Sequence, residues 1–239
     1  MNSYYLSDDQ LAVLASLFGA NVVYGVESKL FSDWKNSSEP FLIDATKRLE
    51  EKNLISIQYD GNVRVKSDLY DMISIVVLPS EILITSKTTF DGLKEVNYYY
   101  KKNNQIVQMK KGKKLHQLTF VSEVPFEPKE ALEIEETLTS KDIETIDGYL
   151  DWFDEDGAKE YLKEHTKQPD LVYQIIDRQF DQLVVQYYRW DNNKIIQKEK
   201  IMVGELNQKT FEWMDQDHQI FLIKGTEHYQ TILQMMNVG

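Results

Sequence analysis

The sequence contains no cysteine. Disulfides, thiolate metal centres and cysteine nucleophiles are therefore excluded, and the chain suits a reducing compartment. Histidine is scarce. His116, His165, His218 and His228 are the only four, and no two are spaced to share one helix face. With no thiolate to complete a set, a zinc site is not expected. His116 and His218 are the candidates for a general base, but an exposed or strand-edge histidine is the plainer expectation for all four. Glycine is sparse, at ten residues, and neither Gly157-Ala158-Lys159 nor Lys111-Gly112-Lys113 has phosphate-loop spacing. A Gly-x-Ser-x-Gly elbow is also absent. Asp151 to Gly157 superficially resembles a calcium loop, yet Phe153 holds the third position and Leu162 the twelfth, where ligands are required. No catalytic, cofactor-binding or metal-binding residue is expected, and the chain reads as a non-enzyme.

Long apolar runs are missing as well. The longest cluster, Met72 to Leu78, is far short of the ~18 residues a membrane helix needs. Met1 to Asp9 contains acids and no basic region, so no targeting segment is expected. A soluble, cytoplasmic protein without membrane insertion follows as the expectation. With 239 residues, 42% of them hydrophobic and 28% charged, an ordinary globular domain is affordable.

Net charge is −12 and unevenly spread. From Glu123 to Glu160 fourteen acids face three lysines, whereas from Lys87 to Lys114 eight lysines face two acids. The basic stretch is either a solvated face paired within the protein or a surface for an acidic partner. The overall negative charge argues against general nucleic-acid binding.

One motif occurs twice. Tyr98-Tyr99-Tyr100-Lys101-Lys102-Asn103-Asn104 followed by Gln105-Ile106-Val107-Gln108-Met109-Lys110 returns as Gln186-Tyr187-Tyr188-Arg189-Trp190-Asp191-Asn192-Asn193 followed by Lys194-Ile195-Ile196-Gln197-Lys198. Each copy reads as a β-hairpin, with aromatic and β-branched arms around asparagines that tolerate left-handed angles. The pair points to one domain of two related halves: a helical part at 1–80, a first sheet half at 81–138 and a second at 139–239.

The elements follow from local signals. Ser7 and Gln10 form a capping box ahead of Leu11, Leu14, Ala15, Leu17 and Phe18. A second helix carries Phe41, Leu42, Ala45 and Leu49 on one face and ends near Asn53. Two short strands flank an Asp60-Gly61-Asn62 turn, and Ser67 is expected to cap a helix that stops before Pro79. Four strands from Ile82 to Val121 form a meander. Helices are expected at 130–138, 143–153 and 159–167, with a break at 154–157. Strands are expected at 171–178, 183–190, 194–203 and 219–224, before a closing helix at 227–236. The class is α+β, a large antiparallel sheet flanked by helices.

The N-terminal stretch, two helices and then a hairpin, is similar to a winged-helix DNA-binding module with a sensory sheet behind it. The reading helix would carry Lys47, Arg48 and Lys52 beside Asp44, Glu50 and Glu51. The opening Leu6-Ser7-x-x-Gln10-Leu11-x-x-Leu14, the helix end Leu49-x-x-x-Asn53-Leu54-Ile55, the Asp60-Gly61 turn and the apolar run to Leu78-Pro79 resemble EspG. EspG proteins are cytosolic chaperones of type VII secretion systems. The lysine-rich, glycine-poor composition departs from actinobacterial EspG and has the look of a Gram-positive, low-GC (Firmicutes) version. The resemblance implies an α+β fold with a quasi-two-fold sheet and stoichiometric binding of a helical-hairpin secretion substrate. For this composition it implies a WXG or LXG type of client. It also implies contacts from a sheet loop and the C-terminal helices. These correspond to Asn103, Asn104 and Asn192 at the hairpin turns and to Ile232, Met235 and Met236, which from the residues alone read equally as core. Trp152, Phe153 and Trp190, large groups in polar settings, are the expected anchors, with packing as the alternative.

Overall fold

Ser7 opens the first helix as its sequence predicts. Its hydroxyl accepts the Gln10 N–H while the Gln10 side chain accepts the Ser7 N–H. The computed structural model describes residues 2–28, 31, 39–89, 91–125, 132, 155–165, 167–176, 180–191, 194–206, 208–216, 219–223 and 227–237. The helices expected at 130–138 and 143–153 lie outside these residues, Leu132 apart.

Six helices and eleven strands are described: β1 (Ser3–Leu6), α1 (Asp8–Ser16), α2 (Glu39–Glu51), β2 (Ile55–Ile57), β3 (Val63–Val65), α3 (Ser67–Val77), β4 (Glu81–Thr88), β5 (Lys94–Lys102), β6 (Gln105–Lys110), β7 (His116–Val121), α4 (Glu155–His165), α5 (Pro169–Ile176), β8 (Asp181–Asp191), β9 (Lys194–Leu206), β10 (Lys209–Gln216), β11 (Gln219–Ile223) and α6 (Glu227–Asn237). Nine strands make one antiparallel sheet in the order β1-β7-β6-β5-β4-β8-β9-β10-β11, and β2 and β3 form a separate hairpin. The class is α+β with a large antiparallel sheet, as expected. Its two meanders, β4 to β7 and β8 to β11, meet along β4 and β8, which pair from Glu81↔Arg189 to Thr88↔Gln182.

Alternation along the central strands feeds two cores. Ile82, Ile84, Tyr100, Val107 and Met109 face α1 and α3, while Leu83, Tyr99, Val185, Tyr187 and Ile201 face α6. The consecutive tyrosines thus split between faces. Tyr98 and Tyr100 stack at 6.3 Å on the first, and Tyr99 enters the second. The loop after α1 is bound to the same face. Tyr100 donates its hydroxyl to the Tyr24 carbonyl at 2.6 Å, and Gly25, at φ +78, lets the Tyr98 ring sit where a Cβ would be.

Several expectations are corrected. Residues 169–176 are helix, not strand: Pro169 suits a first helical position, and burial of both Val172 and Tyr173 breaks the alternation of a half-buried strand. α4 already begins at Glu155, so Asp156-Gly157 lies in its first turn rather than in a break. Ser67 is the first helical residue of α3, and Lys66, which makes no side-chain cap, precedes it. Phe41 is 43% exposed, so the buried face of α2 is carried by Ala45 and Leu49. β1 and β10 are additional strands.

Candidate partner-binding site

The repeated motif acquires its meaning from register. Leu83 of β4 lies between Tyr99 and Tyr187, Ile82 between Tyr100 and Tyr188, and Glu81 between Lys101 and Arg189. The two copies therefore run level on either side of β4, and both hairpin turns project at the same end of the sheet. Asn103 and Asn104 are exposed at φ 47 and 62, the left-handed pair a two-residue hairpin loop needs. Asn192 lies outside the described residues, between the register partners Asp191 and Lys194. A register shift between Tyr187 and Tyr188 marks a bulge in the β8–β9 pair just before that turn.

Ser80 ties this end together. Its N–H donates to the Lys101 carbonyl at 2.8 Å, and its own carbonyl accepts the Trp190 N–H at 3.0 Å. The backbone of Trp190 is fixed while its ring remains 43% exposed. Two clefts open side by side over a ridge of Leu78, Pro79 and Trp190. One, of about 510 Å³, reaches Glu81, Lys102, Asn103 and Arg189. The other, of about 480 Å³, reaches Val22, Val23, Tyr24 and Ile195. Leu78 and Val22 are 52% and 62% exposed, so three large apolar side chains meet solvent in one place.

Charge is organised around the same ridge. Lys101, almost fully buried, donates to the Met235 carbonyl at 2.9 Å and lies 3.8 Å from Glu81. Burial, followed by the Glu81 carboxylate, raises the Tyr187 hydroxyl above its ordinary value. Lys102 donates to the Ser74 carbonyl at the end of α3's second turn. Arg189 and Lys194 are exposed. Elsewhere the lysine-rich stretch pairs internally: Lys87 with Asp181 and Glu205, Lys110 with Glu95, and Lys111 with Glu27.

Of the expected contact residues, the structure brings Asn103 and Trp190 to one cleft. Met235 is 49% exposed but on the α6 face, whereas Trp190 follows the alternation of Tyr188 onto the other. Ile232 and Met236 are buried, at 2% and 0%, so these two pack in the α6 core and are not an exposed contact face. Trp152 and Phe153 lie outside the described residues. Leu78, Pro79 and Val22 were legible only as a helix end and a loop, because the wall they form depends on long-range pairing.

His116 is neither exposed nor at the cleft. It is 1% exposed, its Nδ1 accepts the Gly112 N–H at 3.2 Å, and its Nε2 lies 3.1 Å from Asp8 Oδ1. An accepting Nδ1 places the proton on Nε2, which donates to Asp8. His218 lies outside the described residues. Among the described residues no cluster of three metal-ligating side chains occurs, and no helix is long and apolar enough to cross a membrane. On α2, Arg48 pairs with Asp44 at 2.9 Å and Lys47 lies 4.0 Å from Glu51, so two of the cations that would read bases face their own carboxylates.

Comparison with protein-family profiles and with curated proteins finds no match. Among solved structures, the chain is similar to EspG5, the type VII secretion system chaperone of Mycobacterium tuberculosis, solved in complex with the PE25-PPE41 dimer. The TM-score is 0.59 at 8% identity, over 100% of this chain and 98% of that one. From end to end, this chain has the fold of the EspG5 chaperone.

Proposed function

We propose that this protein is a non-enzymatic chaperone of a type VII secretion system, binding a helical secreted client stoichiometrically in the cytoplasm. The observation that carries this reading is the full-length likeness to EspG5, whose solved complex contains the PE25-PPE41 dimer. The likeness spans both meanders and the helices on each face, so it is not owed to one common supersecondary motif. The exposed apolar ridge agrees with it, because a holding chaperone needs accessible apolar surface where an enzyme needs convergent polar groups.

The client is a helical hairpin of WXG or LXG type, whose apolar tip the chaperone covers until delivery. Asn103, Asn104 and Trp190 form one contact edge, with Asn192, Trp152 and Phe153 as further contacts and Met235 at a second edge. Co-expression of the tagged chain with each small helical secretion substrate of its own genome tests the reading. A stable, roughly equimolar complex is the expected result. A folded, monodisperse chain that retains none of them would overturn it.

A further inference from the structure

Resting on the chaperone reading, we propose that the client's tip straddles the Leu78-Pro79-Trp190 ridge and presents a bulky apolar side chain beside an acidic one. The apolar half follows from the ridge. Val22, Leu78 and Trp190 are all large and strongly exposed, and the two clefts share their wall instead of closing into one cavity. A small ligand would be enclosed by one cleft; a helical tip covers both and desolvates the ridge between them.

The acidic half follows from charge. Among the described residues Glu81 is the carboxylate lining the first cleft, and Lys101 faces it. Even with Asp191 set against its register partner Lys194, Lys102 and Arg189 remain as surplus cations at the mouth among the described residues. A local positive rim on a chain of net charge −12 selects an acidic partner and steers its approach.

The test uses the full chain and whichever WXG- or LXG-type protein it retains in co-expression. Trp190→Ala and Leu78→Ser should each weaken that complex at least tenfold while melting as the wild type does. Lys102→Glu combined with Arg189→Glu should slow association and invert its salt dependence. Neutralising the acidic side chain at the client's tip should flatten the salt dependence with the wild-type chain and relieve part of the loss with the charge-reversed one. A client held at full strength by both Trp190→Ala and Leu78→Ser overturns the ridge while the chaperone reading stands. Unchanged affinity and salt dependence in the charge-reversed protein overturns the acidic half. Retention of no client by the wild-type chain overturns both readings.

Discussion

Lys101 Nζ on β5 donates to the carbonyl oxygen of Met235, 134 positions later, at 2.9 Å. The ammonium therefore sits at the carbonyl end of α6, where a helix dipole favours positive charge, and it lies beside Glu81. Replacing it with methionine keeps the stem but strands a half-buried carboxylate and a helix-end carbonyl. Lys101→Met should cost about 2–3 kcal/mol in urea denaturation. Adding Glu81→Gln should recover part of that loss, and strict additivity of the two would show that the pair is not coupled.

The last helix has two sides that an alanine series can separate. Ile232→Ala and Met236→Ala should each cost about 2–4 kcal/mol, because both side chains fill the core beneath the sheet. Met235→Ala should change stability by no more than about 0.5 kcal/mol. Equal losses at Met235 and Met236 would contradict the helix orientation.

Trp190 is tied down by its backbone while the residue stays 43% exposed, so Trp190→Ala should preserve the bond to Ser80 and shift the melting temperature only slightly. A large drop would place the indole in the core.

The buried tyrosines set the alkaline limit. Burial pushes Tyr99 and Tyr229 up to about 12, from an ordinary value of 10.0. Their unfolded forms ionise more readily than their folded forms. The stability they confer is therefore complete below about pH 10 and is lost as pH rises through about 12. A tyrosinate titration should show these two ionising late and together with loss of the near-ultraviolet circular dichroism signal. Titration of both near 10 in the intact fold would refute the burial.

His116 reaches Asp8 from β7 and thereby joins strand to helix start. His116→Ala leaves the Gly112 N–H without its acceptor and should cost about 2 kcal/mol by denaturation. A neutral result would mean that water replaces the ring.

Legibility followed the range of the interactions. The capping box at Ser7, the Asn103-Asn104 turn and the β4–β7 meander are set by neighbours within a few residues, and each is found where the sequence puts it. Leu171 to Ile176 misled because its β-branched content outweighed the single start signal of Pro169, and burial of one helical face decided the outcome. β1 is four residues long and acquires its identity from β7, more than a hundred positions away. The cleft was hidden for the same reason. Trp190 stood out as an exposed aromatic, but its wall of Val22 and Leu78 comes from distant parts of the chain. His116 was misjudged because its partner Asp8 lies 108 positions off.

The β4–β8 pairing has one more consequence. It is the seam at which two separately wound four-stranded ribbons are brought into alignment, so it works as a vernier for the end of the sheet. Sliding one ribbon by two residues would preserve which face every side chain occupies, yet would carry Trp190 about 7 Å along Leu78. The spacing of the hairpin tips is thus written into the middle of the molecule, in the register along which β4 and β8 pair.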